Sequence, residues 1–220
     1  MRLLFQPQVL NRAALASLVS ALACYPRLCL WTHRPELLPI WYMEAAIFVC
    51  GVLLWGSVFA WHEAYTHRPI FICKQEFMPV MAVTLAGILT GLAFRAWVDP
   101  SLRAQFPEDY PKDMLQWLAS LAFLLTFTQL FVVFATFDWL IRLVRNRWLA
   151  AGLLGAFGAA WLLQKVCQLH GVVPPGLLTA LLLGRMAAGF WVVALYLRGG
   201  VWLVSWWSLL VYARHLLDYV

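Results

Sequence analysis

The sequence predicts an all-α fold, a polytopic membrane helix bundle with roughly six or seven transmembrane helices, and three observations predict it. Apolar residues make up 64% of the chain and charged residues only 12%, with a mean hydropathy of +0.78, which is not the composition of a water-soluble domain. Spans of about 20 residues joined by short links fit roughly six or seven times into 220 residues and leave almost nothing for a globular head. The apolar runs are bounded by Trp, Tyr, Arg and Pro, the residues of headgroup belts and turns. The formal charge of +6 and pI near 9.3 then reflect basic loops facing anionic lipid, and no nucleic-acid partner is expected. A secreted disulfide scaffold is excluded too, because the five cysteines are odd in number and form no C-x-x-C pair.

Residues 13–25 form an apolar run too short to cross straight, set between Arg12 and the Pro26–Arg27 pair. Residues 1–38 are therefore expected to form an interfacial helix or a short, tilted span. No A-x-A-like site follows the run, so no cleaved signal peptide is expected. Residues 39–61 are long enough to span, and Trp41, Tyr42, Trp55 and Trp61 suit the two interfaces. A polar connection covers 62–76. A second span runs over 77–98 and is expected to end at Asp99–Pro100 and the turn chemistry of 106–113. A third runs over 114–141 and is closed by the basic stretch 142–147, followed by spans at 148–168, 176–197 and 201–219. The last links are only a few residues long, which forces consecutive helices to lie antiparallel as neighbours. Residues 39–220 thus read as one transmembrane bundle. Arg142, Arg145 and Arg147, on the side shared with Arg68, Lys74 and Arg198, mark the cytoplasmic face, and a bacterial inner membrane is the expected location.

Candidate chemistry is sparse. His62 and Glu63 begin something like H-E-x-x-H, but position 66 is Thr66 and His67 comes one residue late, off the face where a second zinc ligand must stand. His33, His170 and His215 lie near span ends, where an amphipathic ring suits the headgroups. No metal site, phosphate loop or nucleophile elbow is predicted, and no cofactor, although a bound lipid or pigment is compatible with the composition. The deepest ionisable group is Arg185, between Gly184 and Gly189, with Glu44 and Asp138 as candidate partners. It reads either as an interhelical ion pair that fixes packing or as a substrate or proton site. Arg95, Glu44 and Lys165 are near enough to span ends to snorkel. Trp202 and Trp206, at i and i+4, share a face suited to lipid, a pigment or another subunit.

The last four spans carry a further pattern. Thr128, Gln129, Leu130, Phe131, Val132 and Val133 stand in one helix, Phe157 to Trp161 in the next, and Tyr196, Leu197, Arg198, Gly199 and Gly200 end another, with Leu209 and Ala213 in the last. In layout this resembles the CAAX-protease and bacteriocin-processing (CPBP, or Abi) family of intramembrane proteases, whose helices carry E-E-x-x-x-R, F-x-x-x-H, a Y-x-R-T-G-like turn and H-x-x-x-N. The resemblance covers residues 114–220, with Phe157, Gly189, Tyr196, Arg198 and Gly200 matching directly. It implies a degenerate site. Thr128 and Gln129 stand for the two glutamates, Val133 for the arginine, Trp161 and Leu209 for the histidines and Ala213 for the asparagine. Such side chains cannot activate water for attack on a peptide bond. The resemblance therefore implies a protein without catalytic residues.

The function expected from these readings is a non-catalytic membrane subunit or scaffold, partnered by membrane lipids and other integral membrane chains. Two alternatives stand beside it. One is a transporter or lipid-handling protein built around Arg185. The other is a metal-dependent hydrolase using displaced residues such as His62, Glu63, His67 and Asp138.

Overall fold

The computed structural model describes residues 6–31, 39–66, 70–71, 77–168 and 173–219, apart from the side chains of Trp31, Glu63 and Gln168. The described elements are helical: α1 (Pro7–Trp31), α2 (Ile40–Thr66), α3 (Phe77–Ala93), α4 (Asp99–Gln105), α5 (Met114–Phe123), α6 (Thr136–Val144), α7 (Arg147–Gln168) and α8 (Pro175–Tyr212). Among the described residues six stretches are long and apolar enough to cross a membrane, and the chain is an integral membrane protein. Its contacts form two compact units. One comprises Met1–Ile70 with Lys112–Asp138, and the other Phe71–Pro111 with Trp139–Val220.

In the first unit α1 opens on Pro7, a residue suited to a first helical turn because its missing N–H would have no partner there. The helix then runs through Arg12, Pro26 and Arg27 for 25 residues. The short apolar run is the middle of a longer helix, of which Pro7–Leu30 is long and apolar enough to cross a membrane. α1 and α2 pack antiparallel. Ser17 Oγ donates to the Phe48 carbonyl at 2.6 Å, and Trp55 Nε1 donates to Ser20 Oγ at 3.2 Å. Ala21, Cys24, Leu28 and Ile47 form a buried cluster that Phe123 and Phe127 cover. α1 packs with α2 and α5 in this unit.

Asp113 caps α5, its carboxylate accepting from Gln116 N at 2.7 Å. Two π-helical turns, Leu124–Thr128 and Leu130–Ala135, connect α5 to α6. Against α2 they bring the Phe134 ring to 6.3 Å from Trp55 and set Phe137 edge-on to Trp61 at 5.6 Å.

In the second unit the span expected to end at Asp99–Pro100 does not. A π turn at Phe94–Val98 passes directly into α4, with Pro100 just past the junction. Asn146 caps α7, its side-chain oxygen accepting from Trp148 N at 2.9 Å and Leu149 N at 3.2 Å. α7 and the start of α8 run antiparallel and almost touch. A Cβ built on Gly189 would stand 2.6 Å from the Gly155 Cα and 2.8 Å from the Ala151 carbonyl.

A straight helix of 38 residues would be about 57 Å long. α8 instead breaks at Gly200, which adopts φ 63° and ψ −155°, a conformation essentially restricted to glycine. Residues 201–212 return beside α3 with Trp206 on Thr84, while Arg214 reaches Asp99 and Lys165 of α7 reaches Asp109. Both ends of α8 therefore approach the α4 corner, and the element is a hairpin of two legs. The break falls in the Arg198–Gly200 link that the sequence places between two spans.

Candidate functional site

Arg185 lies in the first leg of α8, about 15 Å along it from Pro175, roughly half the thickness of the hydrocarbon layer. Its Cδ passes 3.9 Å from where a Cβ on Gly158 would be, and a Cβ on Gly184 would meet nothing within 4 Å. The absent side chains give the arginine stem a bed on α7 and leave one flank of the leg open. Arg185 is exposed, and within its unit no described residue makes a hydrogen bond or ion pair with it. Glu44 and Asp138, the carboxylates suggested by sequence, belong to the other unit.

Asp138 is fully buried in the first unit and accepts a hydrogen bond from the Ser57 hydroxyl. His62 is buried one and a half turns further along α2, with its ring 6.3 Å from that of Trp61. Ser57, His62 and Asp138 are thus buried polar groups in an otherwise apolar layer, a setting that charge avoids without hydrogen-bonding partners. The Glu63 side chain and His67 lie outside the described residues, as do His33 and His170. Among the described residues no three His, Cys, Asp or Glu side chains gather closely enough to hold a metal ion. Glu44 is half-buried on α2.

The positions carrying the family resemblance fall in different surroundings. Thr128, Gln129 and Val133 occupy the π-helical stretch, with Gln129 buried and the other two half-buried. Phe157 and Trp161 meet edge to face at 6.0 Å on the exposed side of α7. Leu209 is half-buried in the second leg, and Ala213 opens the 3₁₀ turn Ala213–Asp218. Trp202 is exposed, and Trp206 is half-buried with its indole N–H donating to Thr84 Oγ1 at 2.9 Å. An indole donor in an apolar layer is stabilised by such an acceptor.

The most developed polar structure escapes a motif search. Asp99 accepts from Tyr110 Oη at 3.0 Å and from Arg214 Nε at 2.9 Å. Arg95 binds Asp218 at 2.7 Å and the carbonyls of Arg214 and Leu217 at 3.1 Å, while Arg103 also pairs with Asp218. Tyr219 donates to the Pro111 carbonyl at 2.8 Å, and Lys165 binds Asp109. Arg95 and Lys165, expected to snorkel, pair with the carboxylates of Asp218 and Asp109. His215, expected among headgroups, is buried edge-on to Tyr110 at 5.3 Å and Tyr212 at 5.0 Å. Burial raises the Tyr110 phenol above its ordinary value, and the negative charge of Asp99 adds to the shift. Clustered acidic residues and prolines at 99–113 were the sequence signal for this corner. The partners come from Arg95, Lys165 and residues 214–219, and only the hairpin and the α7 end bring those near.

Comparison with known proteins adds no relative: no family model, no curated protein and no solved structure matches the chain.

Proposed function

We propose that the chain is a non-catalytic integral membrane subunit, a scaffold that joins a larger membrane assembly by packing the first leg of α8 against a helix of another chain. Arg185 carries this reading: it is an exposed cation at mid-span with no acceptor among the described residues of its own unit. A charge at that depth costs about 2.5–3.5 kcal/mol on insertion scales, and an acidic or polar side chain on a neighbouring helix offsets it. Gly184 leaves room for such a helix to come close. The layout resembling CPBP proteases supports the same reading, since Thr128, Gln129, Val133, Trp161, Leu209 and Ala213 supply no acid or imidazole. A bacterial inner membrane suits helical spans, whereas outer membranes favour closed barrels.

The test is isolation from the native membrane in a mild detergent. The chain is expected to migrate with other membrane polypeptides, and Arg185→Leu is expected to abolish that association while leaving the thermal midpoint of the isolated chain within a few degrees. A lone, monodisperse monomer from native membrane overturns the proposal. The same arginine supports a second reading, transport of a small anion or lipid. That reading gains if Arg185→Leu keeps its partners but loses binding of an anionic solute.

A further inference from the structure

At the opposite end of the second unit from the Asp99 corner, α7 begins and the first leg of α8 ends. Between them lies a cavity of about 280 Å3 lined by Arg147, Trp148, Val193, Ala194, Leu197 and Arg198. Its lining thus combines two arginines with aliphatic and aromatic side chains. Arg147 and Arg198 are both exposed, and among the described residues neither pairs with a carboxylate. The Arg147 guanidinium lies over the Trp148 ring, 5.0 Å from its centroid, which aligns it without neutralising it. Arg142 and Arg145 stand just before α7 and add positive charge to this end.

We infer that this cavity is a binding site for an anionic glycerophospholipid, with its phosphate between Arg147 and Arg198 and its glycerol and first methylenes against Val193, Ala194, Leu197 and Trp148. The guanidinium forks match phosphate oxygens in bidentate geometry. A basic pocket between transmembrane helices at an interface has the chemistry of lipid headgroup sites. The cavity is too small for whole acyl chains, which continue along the exposed Leu149 and Trp191. The apolar walls favour a lipid over a soluble phosphate, which would gain nothing from them. This site is independent of Arg185.

The experiment uses the full chain, delipidated in a neutral detergent and titrated with phosphatidylglycerol, phosphatidylcholine or inorganic phosphate while thermal midpoint and bound lipid are followed by native mass spectrometry. Phosphatidylglycerol is expected to bind and raise the midpoint; phosphatidylcholine and inorganic phosphate are not. The double variant Arg147→Gln/Arg198→Gln is expected to lose about tenfold or more in apparent affinity. Arg142→Gln/Arg145→Gln removes the same charge from the same end and is expected to bind nearly as the parent does. Ala194→Trp fills the cavity with every charge retained and is expected to exclude the lipid, which keeps the idea testable if the arginine variant folds poorly. Equal loss in both arginine pairs, an equal response to inorganic phosphate, or unimpaired binding by Ala194→Trp overturns the assignment.

Discussion

At Gly200 a single residue decides the path of the chain. Its φ of 63° and ψ of −155° suit no side chain, so Gly200→Ala is expected to cost on the order of 1–3 kcal/mol, measured as a lowered midpoint in detergent. Tyr110 offers a second test. Its phenol donates to buried Asp99, so Tyr110→Phe is expected to cost about 1.5–3 kcal/mol, the range for a hydrogen bond to a charged group. Because the folded protein holds the Tyr110 proton more tightly than the unfolded chain does, this contribution is complete below pH 10 and declines as the pH rises beyond it. The stability difference between parent and Tyr110→Phe should therefore narrow above pH 10. Other groups titrate there, but they cancel in the difference. Arg185 was legible as an intramembrane charge from sequence, since depth follows from counting along a span. Its surroundings were not, because Gly158 lies on another helix.

Helices disclose their apolar length but not their irregular turns. The spans at 77–98 and 114–141 were located by hydropathy, yet the π turns at Phe94–Val98, Leu124–Thr128 and Leu130–Ala135 leave no compositional trace. An extra residue in a turn is settled by what the helix packs against, here Trp55 and Trp61 facing Phe134 and Phe137. For the same reason α1 looked too short. Arg12, Pro26 and Arg27 interrupt hydropathy without interrupting a helix. The α7–α8 crossing was half legible, since Gly189 was recognised as a small residue but Gly155 was not recognised as its counterpart. Gly189→Leu is expected to force these helices apart. Its thermal midpoint in detergent should fall below that of the parent, and an unchanged midpoint would show that the close approach is not needed.

For the whole molecule, composition alone established an integral membrane protein, because nothing else accounts for 64% apolar residues in a chain of 220. The division into units was not legible, since it joins α1 and α2 with a segment far along the sequence. The Asp99 corner was hidden for a related reason: its arginines and acids read separately as span ends. Breaking it is expected to loosen the end of the hairpin. Asp99→Ala would leave Arg214 without its carboxylate partner and should cost about 3–5 kcal/mol, whereas Asp99→Asn should cost less by keeping an oxygen for Tyr110 or Arg214. Trypsin sensitivity at Arg214 in proteoliposomes would report the difference. The Gly200 reversal also bears on biogenesis. The two legs must enter the bilayer as a pair, so one insertion event carries both and brings residue 219 back to the compartment that holds residue 108. Labels at Glu108 and Tyr219 should accordingly react with an impermeant reagent from the same side, and only that side, in sealed vesicles.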